Sequence, residues 1–187
     1  QILLGNKDTV GACADFTKAA ARGDAEATKL KRLYCEDLVE NLVINLPPED
    51  NWKQADDQAD QHQRVVTYTR LDETLSNWKQ LYSLSTMKQN LGDVTPAKQV
   101  IVEQAKAAAK TFTMKEVAQD QSVPPKWAIF TTETSEFKNG TYPESNLWLI
   151  RLGEVTIFMA HLDVKSATIE PALLEKWKDV FLRTSIK

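Results

Sequence analysis

Two histidines, two cysteines and six glycines are all that this 187-residue chain offers to metal, thiol or phosphate chemistry. His62 and His161 form no H-E-x-x-H or other ligand-spaced pair, which leaves zinc chemistry little to work with. Cys13 and Cys35 lie too far apart for a C-x-x-C redox motif, and pairing Cys35 with His161 in the papain manner would rest on coincidence of folding. The glycines are scattered, without G-x-G-x-x-G or G-x-x-x-x-G-K-[ST], so no phosphate cradle is indicated and ATPases and dehydrogenases are disfavoured. No G-x-S-x-G elbow is present either. The chain also lacks a basic excess: 23 Lys and Arg against 26 Asp and Glu give a net charge of −3, which argues against a nucleic-acid partner. Long apolar runs are missing, since segments such as Val155 to Leu162 are short and broken by Thr156 and His161, so no transmembrane segment is expected. No repeat or low-complexity stretch occurs. The first residue is Gln1 rather than Met, and the expectation is that an upstream segment has been removed, a cleaved export signal being one explanation.

What is present is ordinary globular material. A hydrophobic share of 42% beside 26% charged residues supplies enough apolar surface for a core and argues against disorder. The length suits one domain over residues 1–187, with a helical hairpin appendage at 9–43 and a sheet-and-helix body at 44–187. The first helix is expected over the alanine-rich Ala12 to Ala21, the second over Ala25 to Leu42, where Leu30, Leu33, Tyr34, Leu38 and Leu42 recur at helical spacing. Gly23 and Asp24 break the two. Cys13 and Cys35 therefore fall in segments that can fold back on each other. A disulfide between them would add roughly 3 kcal/mol by restricting the unfolded chain; the alternative is two buried free thiols.

Pro47-Pro48 ends this appendage. The polar stretch from Glu49 to Gln63, with Trp52 as its main apolar residue, reads as a surface loop or hairpin connection. Arg64 to Arg70 reads as a strand, and Asp72 as the cap of a short helix holding Leu75, Trp78 and Leu81 or Tyr82. Thr95-Pro96 opens a helix to about Thr113, Trp127 to Thr132 is a strand, and Asn139-Gly140 is a turn. Leu147 to Leu152 and Val155 to Val164 form a hairpin turning at Gly153-Glu154. Leu173, Leu174, Trp177, Val180 and Phe181 stripe a closing helix introduced by Thr168 and Pro171. The fold class is α+β: a mostly antiparallel sheet covered by helices and preceded by an N-terminal helical hairpin.

From Val43-Ile44-Asn45-Leu46-Pro47 through Trp52, the Arg64 to Thr69 strand and Asn77-Trp78 to the late helix, hairpin and closing helix, the order resembles the PsbP-like α/β/α sandwich. The resemblance covers about residues 43 to 187 and implies a non-enzymatic accessory protein; the cysteine-bearing hairpin departs from it. A cone-shaped sheet of the NTF-like kind, which often encloses a ligand pocket, is the rival fold. Neither carries individual functional residues over.

Candidate sites follow from chemistry. Glu49, Asp50, Asp56, Asp57 and Asp60 form a charge run that lacks the spacing and central glycine of a calcium loop, so a solvated surface is expected, available to dock a basic partner. Among five tryptophans, Trp148 and Trp177 fall on expected buried faces, whereas Trp52 in its polar loop is the candidate contact anchor. His161 shares a strand face with Met159 and Asp163, and His161 with Asp163 are the candidates for a ligand pocket. A Ser-His-Asp site there would need a serine delivered by folding. No cofactor or metal is expected, and Asn139-Gly140-Thr141, a formal glycosylation acceptor, is explained by its turn.

The favoured expectation is a non-enzymatic binding or accessory protein of the cell envelope or periplasm, acting through protein contacts. An inhibitor or immunity protein whose segment from Glu49 to Asp60 covers a basic site is its specific form. Small-ligand binding or hydrolysis in a pocket between sheet and helices is the alternative, and a purely structural subunit a third.

Overall fold

The computed structural model describes residues 9–36, 40–60, 63–89 and 91–187; His62 and Leu38 lie outside them. Helices α1 (Thr9–Ala20) and α2 (Ala25–Tyr34) form the N-terminal hairpin. Gly23 takes φ 87°, a conformation in which glycine carries no side-chain penalty, and the Asp24 carboxylate accepts from the Ala27 amide at 2.9 Å to cap α2. Cys13 and Cys35 are disulfide-bonded. Helix α2 ends at Tyr34, short of the expected Leu42, which instead belongs to the two-residue strand β1 (Leu42–Val43).

The body is a seven-stranded antiparallel sheet. Its strands are β2 (Trp52–Ala59), β3 (Gln63–Arg70), β4 (Gln80–Lys88), β5 (Ala109–Gln119), β6 (Trp127–Phe137), β7 (Glu144–Leu152) and β8 (Thr156–Val164), in the order β2-β3-β4-β8-β7-β6-β5. Helices α3 (Thr95–Ala108) and α4 (Pro171–Leu182) complete it, and β9 (Ser185–Ile186) pairs with β1 in a separate two-stranded sheet. The antiparallel α+β class with its helical hairpin is thus the observed one.

Alternation along the strands divides the core in two. Tyr82, Leu147, Leu149, Phe158, Ala160 and Leu162 face α4, where Trp177 and Phe181 are fully buried. Ala128, Phe130, Ile150 and Ile157 face the other way and meet Val94 and Ile101 at α3. Burying each large apolar side chain of this kind contributes roughly 1.5–3 kcal/mol.

Several expectations are corrected. The stretch from Glu49 to Gln63, expected as a surface loop or hairpin connection, holds a 3-10 turn (Pro48–Asp50) and the edge strand β2, residues 61 and 62 lying outside the described ones. Charged side chains suit an edge, since they oppose pairing with another chain. No helix follows Asp72: residues 71–79 are turns joined by a Thr74 to Asn77 bridge, and the Glu73 carboxylate accepts from the Lys79 amide at 3.0 Å. Leu81 and Tyr82 are drawn into β4 because they pair with Asp163 and Leu162. Helix α3 stops at Ala108, and the chain continues directly into β5, where β-branched Thr111 and Thr113 alternate with Phe112 and Met114. The β7–β8 turn centres on Glu154-Val155, closed by the Gly153 amide donating to the Thr156 carbonyl at 2.7 Å.

Candidate functional site

Strand β2 positions the acidic residues differently from one another. A register shift between Gln54 and Asp56 places Asp56 opposite Thr67 and Asp57 opposite Val66, so their side chains leave opposite faces. Asp57 receives a two-point contact from Arg64, Nε at 2.9 Å and Nη2 at 2.6 Å, and these bonds hold its carboxyl below the usual range. Asp56 accepts from Gln58 at 2.7 Å. Asp60 closes the turn to β3, its carboxylate accepting from the Gln63 amide at 2.9 Å.

Trp52 is not the exposed anchor that a loop would have made it. It lies on the α4 side of β2, edge-on to Trp177 at 5.6 Å, with the Arg70 guanidinium over its ring at 4.4 Å. Arg70 and Lys176 both pair with Asp50, at 2.9 and 2.7 Å. Burial by itself would raise the Asp50 pKa, but the two cations hold it below the ordinary carboxylate range. This group seals the sheet edge over Trp52.

Next to it, a groove of about 800 Å³ opens between β1 and the β2–β4 half of the sheet. Val66, Tyr68 and Leu84 supply an apolar floor; Asp57, Asp60 and Arg64 stand on one side, Glu40, Asn41 and Leu42 on the other. Glu40 is buried, its carboxylate accepting from the Glu154 and Val155 amides at 2.8 and 3.0 Å. Arg32 of α2 stands 3.8 Å from Glu40 and also pairs with Glu154. Burial would raise the Glu40 pKa, yet these amides, Thr156 and Arg32 bring it below the usual value. Gly153 is needed for close approach: a Cβ there would lie 2.6 Å from the Glu40 Oε2 atom.

On the opposite sheet face, β6, β7 and β8 bring His161 and Asp163 into one polar cluster. His161 Nδ1 lies 2.7 Å from Asp163 Oδ1, and the Asn146 amide donates to Asp163 at 2.7 Å and to Glu144 at 3.0 Å. Thr132 donates to the Asn146 carbonyl oxygen and receives the Trp148 indole N–H. The Trp148 ring stacks on His161 at 4.2 Å. Burial would lower the His161 pKa, but the Asp163 charge and hydrogen bond, with Glu144 nearby, raise it above the ordinary histidine value. Glu144 is pushed up by burial and by Asp163. The arrangement fixes one imidazole nitrogen against a carboxylate and leaves Nε2 without a hydrogen bond among the described residues.

Folding does deliver a serine across from His161, since Ser83 is its register partner on β4. Its hydroxyl, however, shares a 3.2 Å hydrogen bond with Thr67, so no nucleophile–base pair is formed. Among the described residues no three His, Cys, Asp or Glu side chains are grouped to hold a metal.

Sequence reasoning missed Glu40 and Arg64 in the groove and Thr132, Glu144, Asn146 and Trp148 around His161. The latter set had a usable signal: the β7–β8 hairpin register pairs Trp148 with His161 and Asn146 with Asp163. No family model matches this chain, and no curated protein is significantly similar to it.

Proposed function

We propose that this protein is a non-enzymatic binding protein of an oxidising compartment such as the periplasm, acting through contacts with another protein. Its groove between β1 and β2–β4 holds an extended partner segment that is apolar and basic. The observation that carries this reading is the groove's composition, an apolar floor of Val66, Tyr68 and Leu84 flanked by the Asp57–Arg64 pair and the Asp60 carboxylate, with the buried, amide-bound Glu40 on the far wall. Such a surface favours an aliphatic side chain beside a lysine or arginine. The Cys13–Cys35 disulfide supports the compartment, because such bonds persist where thiols are not kept reduced. An inhibitor or immunity protein covering a basic site remains the specific form of the proposal, with the contact moved from the whole acidic segment to its groove-facing part.

An array of extended peptides, apolar and basic against apolar and acidic, tests it. The apolar–basic set is retained, with affinity falling as salt rises, and Asp57→Asn with Asp60→Asn weakens retention whereas Asp56→Asn does not. Equal retention of both sets, or equal effects of all three substitutions, removes the proposal.

A second reading, small-ligand binding at the sheet face, is favoured by the His161, Asp163, Asn146 and Glu144 cluster. It requires that His161→Ala abolish ligand affinity; retained affinity disposes of it.

A further inference from the structure

Below the His161 cluster, the same sheet face changes character along β8. Asp163 and His161 give way to Met159 and Ile157, and Met87 on β4 stands opposite Ile157. Helix α3 crosses this apolar end without filling it. A recess of about 350 Å³ remains, with Met87, Ile157 and Met159 as its floor and Ala97, Val100 and Ile101 of α3 as its wall. We propose that this recess is a binding site for a small, uncharged, predominantly apolar molecule.

Three observations fix that chemical class. Among the described residues no charged side chain lines the recess, so an ion entering it would lose its hydration without gaining a partner. Among the described residues, the polar side chains at its wall are the amides of Gln89 and Gln104, neither of which makes a side-chain hydrogen bond there. They are placed to orient one or two neutral polar atoms on an otherwise apolar body. The volume lies at the lower end of the range for small-molecule sites and is typical of them in being mostly apolar with few polar groups. Val100, on the α3 wall, is itself 52% exposed and offers an apolar contact to a ligand on its way in. Two of the floor residues are methionines, whose unbranched thioether chains adapt to ligands of different outline. This inference is independent of the peptide groove, which lies on the opposite sheet face.

The three methionines provide the test. Met87 and Met159 line the recess, whereas Met114 packs on the same α3-facing core without lining it. With methyl-labelled methionines, the full chain is titrated with neutral N-phenyl-1-naphthylamine and with its anionic analogue 8-anilino-1-naphthalenesulfonate. Binding in the recess shifts the Met87 and Met159 methyl signals saturably and leaves Met114 in place, and the neutral probe binds at least tenfold more tightly than the anion. Ala97→Phe, which fills the recess, weakens the neutral probe at least tenfold. The inference is overturned if Met87 and Met159 do not respond, if Met114 shifts in parallel, or if the anion binds as well. Where Ala97→Phe disturbs folding, the methyl pattern of the unsubstituted chain decides alone.

Discussion

Glu40 illustrates how one carboxylate is made structural. Placed in the β7–β8 turn, it satisfies two amides and stands beside Arg32, so its charged form is preferred in the folded state. A carboxylate with a depressed folded pKa contributes stability that is present above its unfolded pKa and is lost as the pH falls through the folded value. Stability from Glu40 should therefore be full at neutral pH and fade below about pH 4. Glu40→Gln should cost about 1–3 kcal/mol at neutral pH and flatten the acid limb of a urea-measured stability profile; an unchanged profile would show that the contact contributes nothing. His161 has the opposite sign. Its raised pKa means that Asp163 favours the imidazolium, giving stability that is full below the unfolded pKa and is lost as the pH rises through the folded one. Imidazole nitrogen resonances should show His161 titrating above roughly pH 6.5, and Asp163→Asn should lower that midpoint.

At the scale of elements, the helical hairpin and the sheet are joined unequally. Helices α1 and α2 pack mainly on each other and are held by the Cys13–Cys35 bond, while Arg32 connects α2 to Glu40 and the β7–β8 turn. Reduction should cost roughly 3 kcal/mol by the chain-entropy argument, and that loss should remain local. Hydrogen exchange should accelerate across α1 and α2 and stay slow in β7 and β8. Uniform acceleration in the sheet would instead make the hairpin part of the global folding unit. The elements also differ in how plainly their residues declare them. Strands β7 and β8 and helix α4 are legible because their apolar residues follow the period of the element that buries them. Strand β2 was not, because an exposed edge strand need not bury alternate residues, and its Asp and Gln content resembles a loop. The 71–79 segment misled in the other direction: Leu75, Trp78 and Tyr82 have helical spacing, but Tyr82 is held by β3 and β8 across the sheet.

For the molecule as a whole, both cores share one sheet, and damage on either face is felt by both. Trp177, fully buried against Tyr82, Trp52 and Phe181, is the largest plug on the α4 side. Trp177→Ala should lower unfolding free energy by about 3–5 kcal/mol in a single urea transition with an unchanged slope. Two transitions would mean that the α3 and α4 faces unfold separately. The same architecture divides binding surfaces: the charged-rimmed groove opens on the α4 side, and the polar histidine cluster with the apolar recess occupies the α3 side.

The amino-acid sequence by itself determined the helical hairpin, the terminal strand pair, the closing helix and the compatibility of Cys13 with Cys35, because each depends on local periodicity or on a short reach of chain. It also placed His161 and Asp163 on one strand face, since alternation is a property of the strand. Tertiary structure alone decided that Trp52 is sealed by Arg70, that Asp57 faces the groove while Asp56 faces away, and that Glu40 reaches Glu154 from 114 residues earlier in the chain. These outcomes depend on strand register, on a bulge in β2 and on contacts between distant segments. Such contacts form only when their summed burial outweighs the entropy of closing long loops, a balance that no short stretch of sequence contains.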